Sequence, residues 1–380
     1  MVKCGVRNLG PLIAIHQGAS EEDRASHYGC VETCGSIWVC AACASRIAEE
    51  RRQEIQQLLD AHHQAGGSTY MMTLTIPHRA SQPCDALGAI VTKCWQHTKS
   101  GKPWRKAKMR YRYLGDVRAL EVTHGSNGWH PHLHILIFFK PEATQTDAES
   151  FAQWLFERWA RSVQKHGYGQ CSSDAFTFAL VSPGKGAADY VAKWGAACEL
   201  SKAHINSGKS GRTPFDILED LRKHGRRDDE ELFVEYAFAF KGRRHLTWST
   251  GLREHYGLRE GRPDEEIADE VPSGRHHVAS IEASLWHEIT RQRLGADLLD
   301  AFDQGGENAV LQLLRRHEID CYAVDARLAG GQIMRCFLTT GPSTLAPRYR
   351  LVGPPNTLSN TTDNTTAHTA TGEGRSPVDA

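Results

Sequence analysis

No stretch of this chain approaches the roughly 20 consecutive apolar residues that a helix needs to cross a bilayer, and neither sign of charge prevails. Lysine and arginine together number 45, as do aspartate and glutamate, so the formal net charge is zero. That balance excludes steering of a polyanion by the molecule as a whole, and any nucleic-acid affinity must come from local clusters. The first residues carry only the short apolar run Leu12 to Ile15 and no signal-peptide pattern. This predicts a cytoplasmic protein with no membrane partner. Cysteine is not scarce: there are 11 in 380 residues, and in a reducing compartment they argue for metal ligands and buried thiols over a disulfide framework.

Five of those cysteines lie near the N-terminus, at Cys4, Cys30, Cys34, Cys40 and Cys43. Closely spaced thiolates followed by a helical run, here Ser45 to Leu59, suit a tetrahedral structural zinc ion. Spacing alone selects Cys30, Cys34, Cys40 and Cys43. The remaining cysteines, at 84, 94, 171, 198, 321 and 336, are scattered and read as small buried hydrophobes.

The run Trp129-His-Pro-His-Leu-His-Ile-Leu-Ile-Phe-Phe139 places imidazoles at alternate positions of an apolar strand. Alternate strand residues share a face, roughly 6.6 Å apart. Leu133, Ile135 and Ile137 then join a core, while His130, His132 and His134 form a stripe on the opposite face. Arg118 to His124 reads as a preceding strand, and Gly125-Ser-Asn-Gly128 as the turn of a hairpin. A hairpin centred on Ser126 and Asn127 pairs Glu121 with His132, so a carboxylate and two imidazoles converge through local structure. Such a set suits magnesium or manganese where the chemistry is on phosphate, and zinc would accept it too. His130 is the weaker candidate ligand, because it lies two strand steps from His134.

Between the strands lies Lys99 to Tyr113, a basic stretch interrupted by aromatics and free of acids. Lys102, Arg105, Lys106, Lys108, Arg110 and Arg112 can neutralise phosphates, and Trp104 can stack on unpaired bases. The alternative is a solvated helix whose aromatics dock on a sheet. Phe151, Trp154, Leu155, Trp159 and Val163 recur at helical spacing and mark a packed helix. Ala175 to Val181 reads as another strand. The order strand, helix, hairpin, helix, strand, helix predicts an α+β fold, an antiparallel sheet with helices covering one face.

Three motifs resemble the HUH endonucleases, named for two histidines flanking a hydrophobic residue, and specifically the rolling-circle replication initiators of small bacterial plasmids. Tyr70-Met-Met-Thr-Leu-Thr-Ile-Pro-His78 is similar to the family's first motif, the histidine run to its second, and Ala187-Ala-Asp-Tyr-Val-Ala-Lys-Trp194 to its third. Further similarity lies in Cys34 to Cys43, Arg212 to Asp216 and Lys241 to Trp248, so the resemblance covers most of residues 1 to 255. It implies a five-stranded antiparallel sheet with the histidines on a central strand. It also implies a zinc site that uses Cys4 with Cys34, Cys40 and Cys43, Cys30 being the alternative. Tyr190 would be the nucleophile, forming a 5′-phosphotyrosine link and a free 3′-hydroxyl primer, with Lys193 three residues on facing the same ligand.

The partners so implied are plasmid origin DNA, single-stranded at the nick, and a host replicative helicase. Some relatives have a glutamate four residues before the tyrosine, where this chain has Gly186. Asp189 and Glu199 are substitutes in principle, and the residue that ends replication stays unassigned. Trp194 stands where a second tyrosine would, which marks a single-tyrosine enzyme.

The expected organisation is an N-terminal zinc-binding module over residues 1–65, a catalytic domain over 66–255, an accessory, partly helical region over 256–350, and a disordered tail over 351–380. Within the accessory region, 264–270 reads as an acidic loop and 281–316 as helical. The tail is rich in threonine and asparagine and lacks the apolar content to fold. A transposase or mobilisation relaxase would use the same chemistry, a zinc-containing DNA-binding regulator would form no covalent adduct, and a metallohydrolase of small molecules would turn over without DNA.

Overall fold

The computed structural model describes residues 4–18, 25–172, 176–182, 211–270, 275–327, 333–339, 350 and 351. Its strands are β1 Leu12–Gly18, β2 His27–Gly29, β3 Ser68–Thr75, β4 Tyr113–Gly125, β5 Gly128–Phe139, β6 Phe176–Leu180, β7 Leu246–Trp248, β8 Arg275–Glu282, β9 Tyr322–Arg327, β10 Ile333–Leu338 and β11 Arg350–Leu351. The helices used below are α1 Ala41–Gln64, α2 Cys84–Thr98, α3 Gly101–Arg110, α4 Gln145–Lys165, α5 Pro214–His224 and α6 Arg227–Phe240. The chain forms two compact units, one of Met1–Arg7 with Val31–Ser273, the other of Asn8–Cys30 with Gly274–Ala380. These divisions differ from boundaries at 65 and 255. Residues 8–30 leave the cysteine region because β1 pairs along its length with β8, a partner some 260 residues away that no local pattern reveals.

The first unit holds a five-stranded sheet in the order β6-β3-β5-β4-β7, antiparallel throughout, with the histidine strand β5 at its centre. One face packs Leu133, Ile135, Ile137 and Phe139 against Leu87 and Val91 of α2 and Phe151, Leu155 and Trp159 of α4. Helix α4 starts in a reciprocal cap, in which Thr144 Oγ1 accepts from the Asp147 backbone N at 3.1 Å and the Asp147 carboxylate accepts from the Thr144 N at 3.0 Å. Such a cap satisfies two backbone donors that the helix start leaves unpaired.

The opposite face is covered too, which corrects the expectation of helices on one side. Ile55, Leu58 and Leu59 of α1 join Met71, Val117, Ala119, Leu136 and Phe138 in a second apolar cluster. The physical reason is visible in β5, where the run Ile135 to Phe139 has no polar alternate; a continuous apolar run belongs to a strand buried on both faces. The second unit carries a six-stranded mixed sheet, β11-β9-β10-β8-β1-β2, in which β10 and β8 are parallel. Two further expectations shift. Residues 264–269 are a short helix in the first unit rather than a loop, tied to α1 by Arg51 and Asp264 at 2.7 Å. The span 281–316 begins in β8, then forms a helix over Ala283–Arg291 and a helical stretch over Gly295–Arg316 that is broken at Gly305 and Gly306. The tail beyond residue 351 lies outside the described residues.

Leu58 is fully buried on the second face. Leu58→Ala is expected to cost about 2–5 kcal/mol, read by chemical denaturation; an unfolding midpoint equal to that of the unchanged chain would mean that α1 does not cover the sheet.

Candidate metal centres

The β4–β5 hairpin turns through Ser126 and Asn127, and its register pairs Glu121 with His132 and Ala119 with His134. On the other side, β3 sets Thr73 opposite His134 and Thr75 opposite His132. Direct cross-strand neighbours share a face, so Glu121, His132 and His134 meet on the α1 side of the sheet, just past the apolar residues that α1 covers. His132 Nε2 and His134 Nε2 each lie 3.2 Å from the same Glu121 oxygen, Oε2. One ligand atom from each of the three residues lies within 4.8 Å of the others.

The far side of each ring is already occupied. His132 Nδ1 is 3.2 Å from the carbonyl oxygen of His130, and His134 Nδ1 is 3.0 Å from Thr73 Oγ1. An Nδ1–H donated to an oxygen fixes the tautomer in which Nε2 presents its lone pair. Two lone pairs and a carboxylate oxygen then face one point, which is repulsive unless a cation lies among them. Without such an ion, protons on the two Nε2 atoms take that place: burial alone would raise the Glu121 pKa, and the charges and hydrogen bonds of protonated His134 and His132 outweigh it and hold the carboxyl well below the usual carboxylate range. The second oxygen, Glu121 Oε1, is enclosed and has no hydrogen-bond partner. An orphaned buried acceptor beside two imidazole nitrogens fits a divalent ion with mixed oxygen and nitrogen ligands.

His130 is not drawn into this group. Its ring centre lies 4.9 Å from that of His78 and 5.6 Å from that of His132. Burial, with the charges of His132 and His78, pushes its pKa down to about 4.

A second group forms where the sulfurs of Cys4, Cys34, Cys40 and Cys43 converge. Cys4 Sγ is 3.4 Å from Cys40 Sγ and 3.6 Å from Cys43 Sγ, and Cys34 is 3.8 Å from Cys43. Four sulfurs at about 2.3 Å from a tetrahedral ion would stand roughly 3.8 Å apart, so the cluster has the size of such a site. Cys4 arrives there because the Gly5 N donates to the Glu32 carbonyl and the Glu32 N to the Arg7 carbonyl, both at 2.8 Å. Cys30 is exposed with a φ of 59° and takes no part. Geometry therefore selects the set that resemblance implies over the set that spacing selects. Burial pushes the Cys4 thiol up to about 11, and the hydrogen bond to Cys40 together with burial raises Cys43 further. Thiols so crowded ionise when a cation takes up the charge.

The basic stretch forms α3, and Lys102, Arg105, Lys106, Lys108, Arg110 and Arg112 are all exposed. Trp104 is not available to bases. It is 7% exposed, and its ring lies 5.1 Å from that of Tyr113 and 6.2 Å from that of Trp154. Stacking by Trp104 gives way to core packing, with the cations left facing solvent. Tyr190, Lys193, Gly186, Asp189, Trp194 and Glu199 fall outside the described residues.

Thr73, Arg212 and Gly128 lie within segments named above but without a role of their own, and they hold the hairpin. Thr73 sits inside a quoted motif, and its pairing with His134 follows once β3 and β5 are in register. Arg212 pairs its backbone with His124 at 2.8 Å in both directions and its guanidinium with Asp229 at 2.6 Å and Asp220 at 2.9 Å. Gly128, at φ +81°, lies so close to Ala80 that a Cβ would meet its Cα at 2.8 Å. The contacts of Arg212 with His124 and of Gly128 with Ala80 join segments roughly 90 and 50 residues apart, which no local pattern marks.

Together these features define an α+β protein with a carboxylate–imidazole centre on the middle strand of a sheet and a four-thiol centre at the start of the helix behind it. The chain belongs to the replication protein family, whose model matches residues 31–292. It is 27% identical over 334 residues to the protein named Protein rep of Streptomyces lividans, covering 69% of this chain and 73% of that one. A neomycin resistance protein of Streptomyces cyanogenus is 30% identical over 166 residues, 34% of this chain and 38% of that protein. A Protein rep of Lentilactobacillus hilgardii is 27% identical over 135 residues, 33% and 40% of the two chains. No solved structure matches the chain significantly. No helix among the described residues is long and apolar enough to cross a membrane.

Two outcomes follow. Cys4→Ser should lose the metal that copurifies with the chain while Cys30→Ser keeps it, read by elemental analysis, and the reverse pattern would return the fourth position to Cys30. Thr73→Val removes the oxygen behind His134 and should weaken Mn²⁺ binding by about tenfold; unchanged affinity would mean that Thr73 does not orient the ring.

Proposed function

We propose that the protein is a plasmid replication initiator of the HUH endonuclease type, which nicks single-stranded origin DNA at a defined site to start rolling-circle replication. The observation that carries this reading is the convergence of His132 Nε2 and His134 Nε2 on Glu121 Oε2, on the central strand of a chain from the replication protein family. The two relatives named Protein rep support it further.

Glu121, His132 and His134 would hold Mg²⁺ or Mn²⁺, which when bound polarises a phosphate oxygen and offsets the charge that develops during displacement. Tyr190 is the proposed nucleophile. Its phenol oxygen gives up its proton and forms a bond to phosphorus as the bond from phosphorus to the 3′ oxygen breaks, and a proton passes to that oxygen, which becomes the 3′-hydroxyl primer. The 5′ end stays on the tyrosine, so the phosphodiester bond energy is kept for rejoining. A phenol with a pKa near 10 is a weak nucleophile at neutral pH, and Lys193, three residues further along the sequence, would supply positive charge beside it. The exposed cations of α3 would bind the DNA backbone in a salt-dependent way. The four-cysteine centre would hold Zn²⁺ as a structural ion, and a host replicative helicase in the bacterial cytoplasm would unwind the duplex from the nick.

The test is to incubate the protein with single-stranded DNA from the origin of its plasmid and Mn²⁺, then look for a protein–DNA adduct on a denaturing gel. An adduct is expected in the unchanged chain. Tyr190→Phe, His132→Ala, His134→Ala and Glu121→Ala should bind the DNA without forming one, while His130→Ala keeps measurable activity. Adduct formation undiminished in Tyr190→Phe would move the nucleophile elsewhere. Cleavage by Glu121→Ala with none by His130→Ala would replace the third ligand.

A further inference from the structure

We propose that Glu235 is a positioning residue that locks the register and tilt of the histidine strand. This rests on the reading of Glu121, His132 and His134 as the ion-binding centre. Glu235 lies on α6, and its two carboxylate oxygens go to two different elements. Oε2 accepts from the indole Nε1 of Trp129 at 2.9 Å, and Oε1 accepts from the backbone N of Cys84, the first residue of α2, at 2.8 Å. Trp129 is 3% exposed and immediately precedes His130 on β5. Its ring lies over Tyr236 with centres 6.0 Å apart and meets the edge of His124 at 4.8 Å.

The need for such a lock follows from the strand itself. A shift of one residue carries every side chain of a strand to the other face, which would bury His132 and His134 in the α2–α4 core and turn Leu133 toward the ion. The run Ile135 to Phe139 is apolar on both faces and so does not itself tell one register from the next; the alternation that does is confined to the short segment His130 to His134. Trp129, at the turn end of that segment, is the residue whose fixed placement sets where His130 to His134 fall. A carboxylate accepting from an indole N–H and a helix-start N–H makes two charge-assisted bonds, and the helix start favours the negative charge. The pair therefore joins the hairpin to α2 and α6 from the core face of the sheet, opposite the face that carries Glu121, His132 and His134.

Glu235→Gln keeps the shape and loses the charge, and its amide nitrogen cannot accept from either N–H. Trp129→Phe keeps a ring and loses the donor. Mn²⁺ binding followed by electron paramagnetic resonance reads the centre without DNA, and kcat and KM on the origin oligonucleotide read it with DNA. The expected result for Glu235→Gln is about tenfold weaker Mn²⁺ binding and a lower kcat with KM unchanged. Trp129→Phe should do the same, and the double variant should be no worse than either single one, because both remove one interaction. Thr144→Ala, which removes the cap of α4 away from the hairpin, serves as a control of lowered stability with Mn²⁺ affinity retained. Wild-type affinity and kcat in Glu235→Gln would overturn the proposal, as would a loss that Thr144→Ala matches or one that adds fully to that of Trp129→Phe. An unchanged chain that binds no Mn²⁺ would instead overturn the reading of the centre itself.

Discussion

Three electron-rich atoms aimed at one point form the constraint on which the first unit depends. His132 Nε2 and His134 Nε2 face Glu121 Oε2 at 3.2 Å, and their other nitrogens are turned outward by the His130 carbonyl and by Thr73. Without positive charge among them the arrangement is repulsive, so the strand must be held in a register that it would not choose for its polar face alone. The surrounding structure supplies that hold. β4 pairs with β5 along its length and β3 pairs with it from His132 to Phe139, Arg212 pins the backbone of His124, and Gly128 lets the turn approach Ala80. Local sequence brings the donors together; distant segments keep them there.

The two candidate metal centres are linked by one helix, which gives the cysteine cluster a role beyond its own loop. Cys40 precedes α1, Cys43 lies in its first turn, and the later residues Ile55, Leu58 and Leu59 cover the sheet face on which the histidines lie. A metal bound by the four thiols would fix the start of this helix, and metal-binding energy in such sites is folding energy. Ion pairs reinforce the same helix, with Arg51 bridging Glu54 and Asp264 and Arg253 reaching Glu54. The sheet face that carries the ion-binding residues is in this way closed by an element anchored at the other centre.

Much of this was legible in the sequence, and the failures have physical causes. The hairpin register could be read because a four-residue turn with glycines at both ends fixes the pairing of everything that follows. The apolar spacing of α4 was equally plain, since one helix face carries its whole buried surface. Spacing misled at Cys30, because a fourth thiol can come from any segment that the backbone returns to the cluster, and Cys4 comes through a pairing of residues 5 to 7 with Glu32. Trp104 illustrates a different limit: an aromatic among cations reads the same whether it faces a base or a core. The second face of the sheet and the pairing of β1 with β8 escaped notice because both depend on contacts between distant segments, to which periodicity within one element is blind.

The central claim is that Glu121, His132 and His134, and no other imidazole, hold one divalent ion. Electron spin echo spectroscopy of the Mn²⁺-loaded protein counts coupled imidazole nitrogens directly. Two are predicted in the unchanged chain, one in His132→Gln or His134→Gln, and two still in His130→Gln. A spectrum with no imidazole coupling, or with a third that disappears in His130→Gln, would contradict the account.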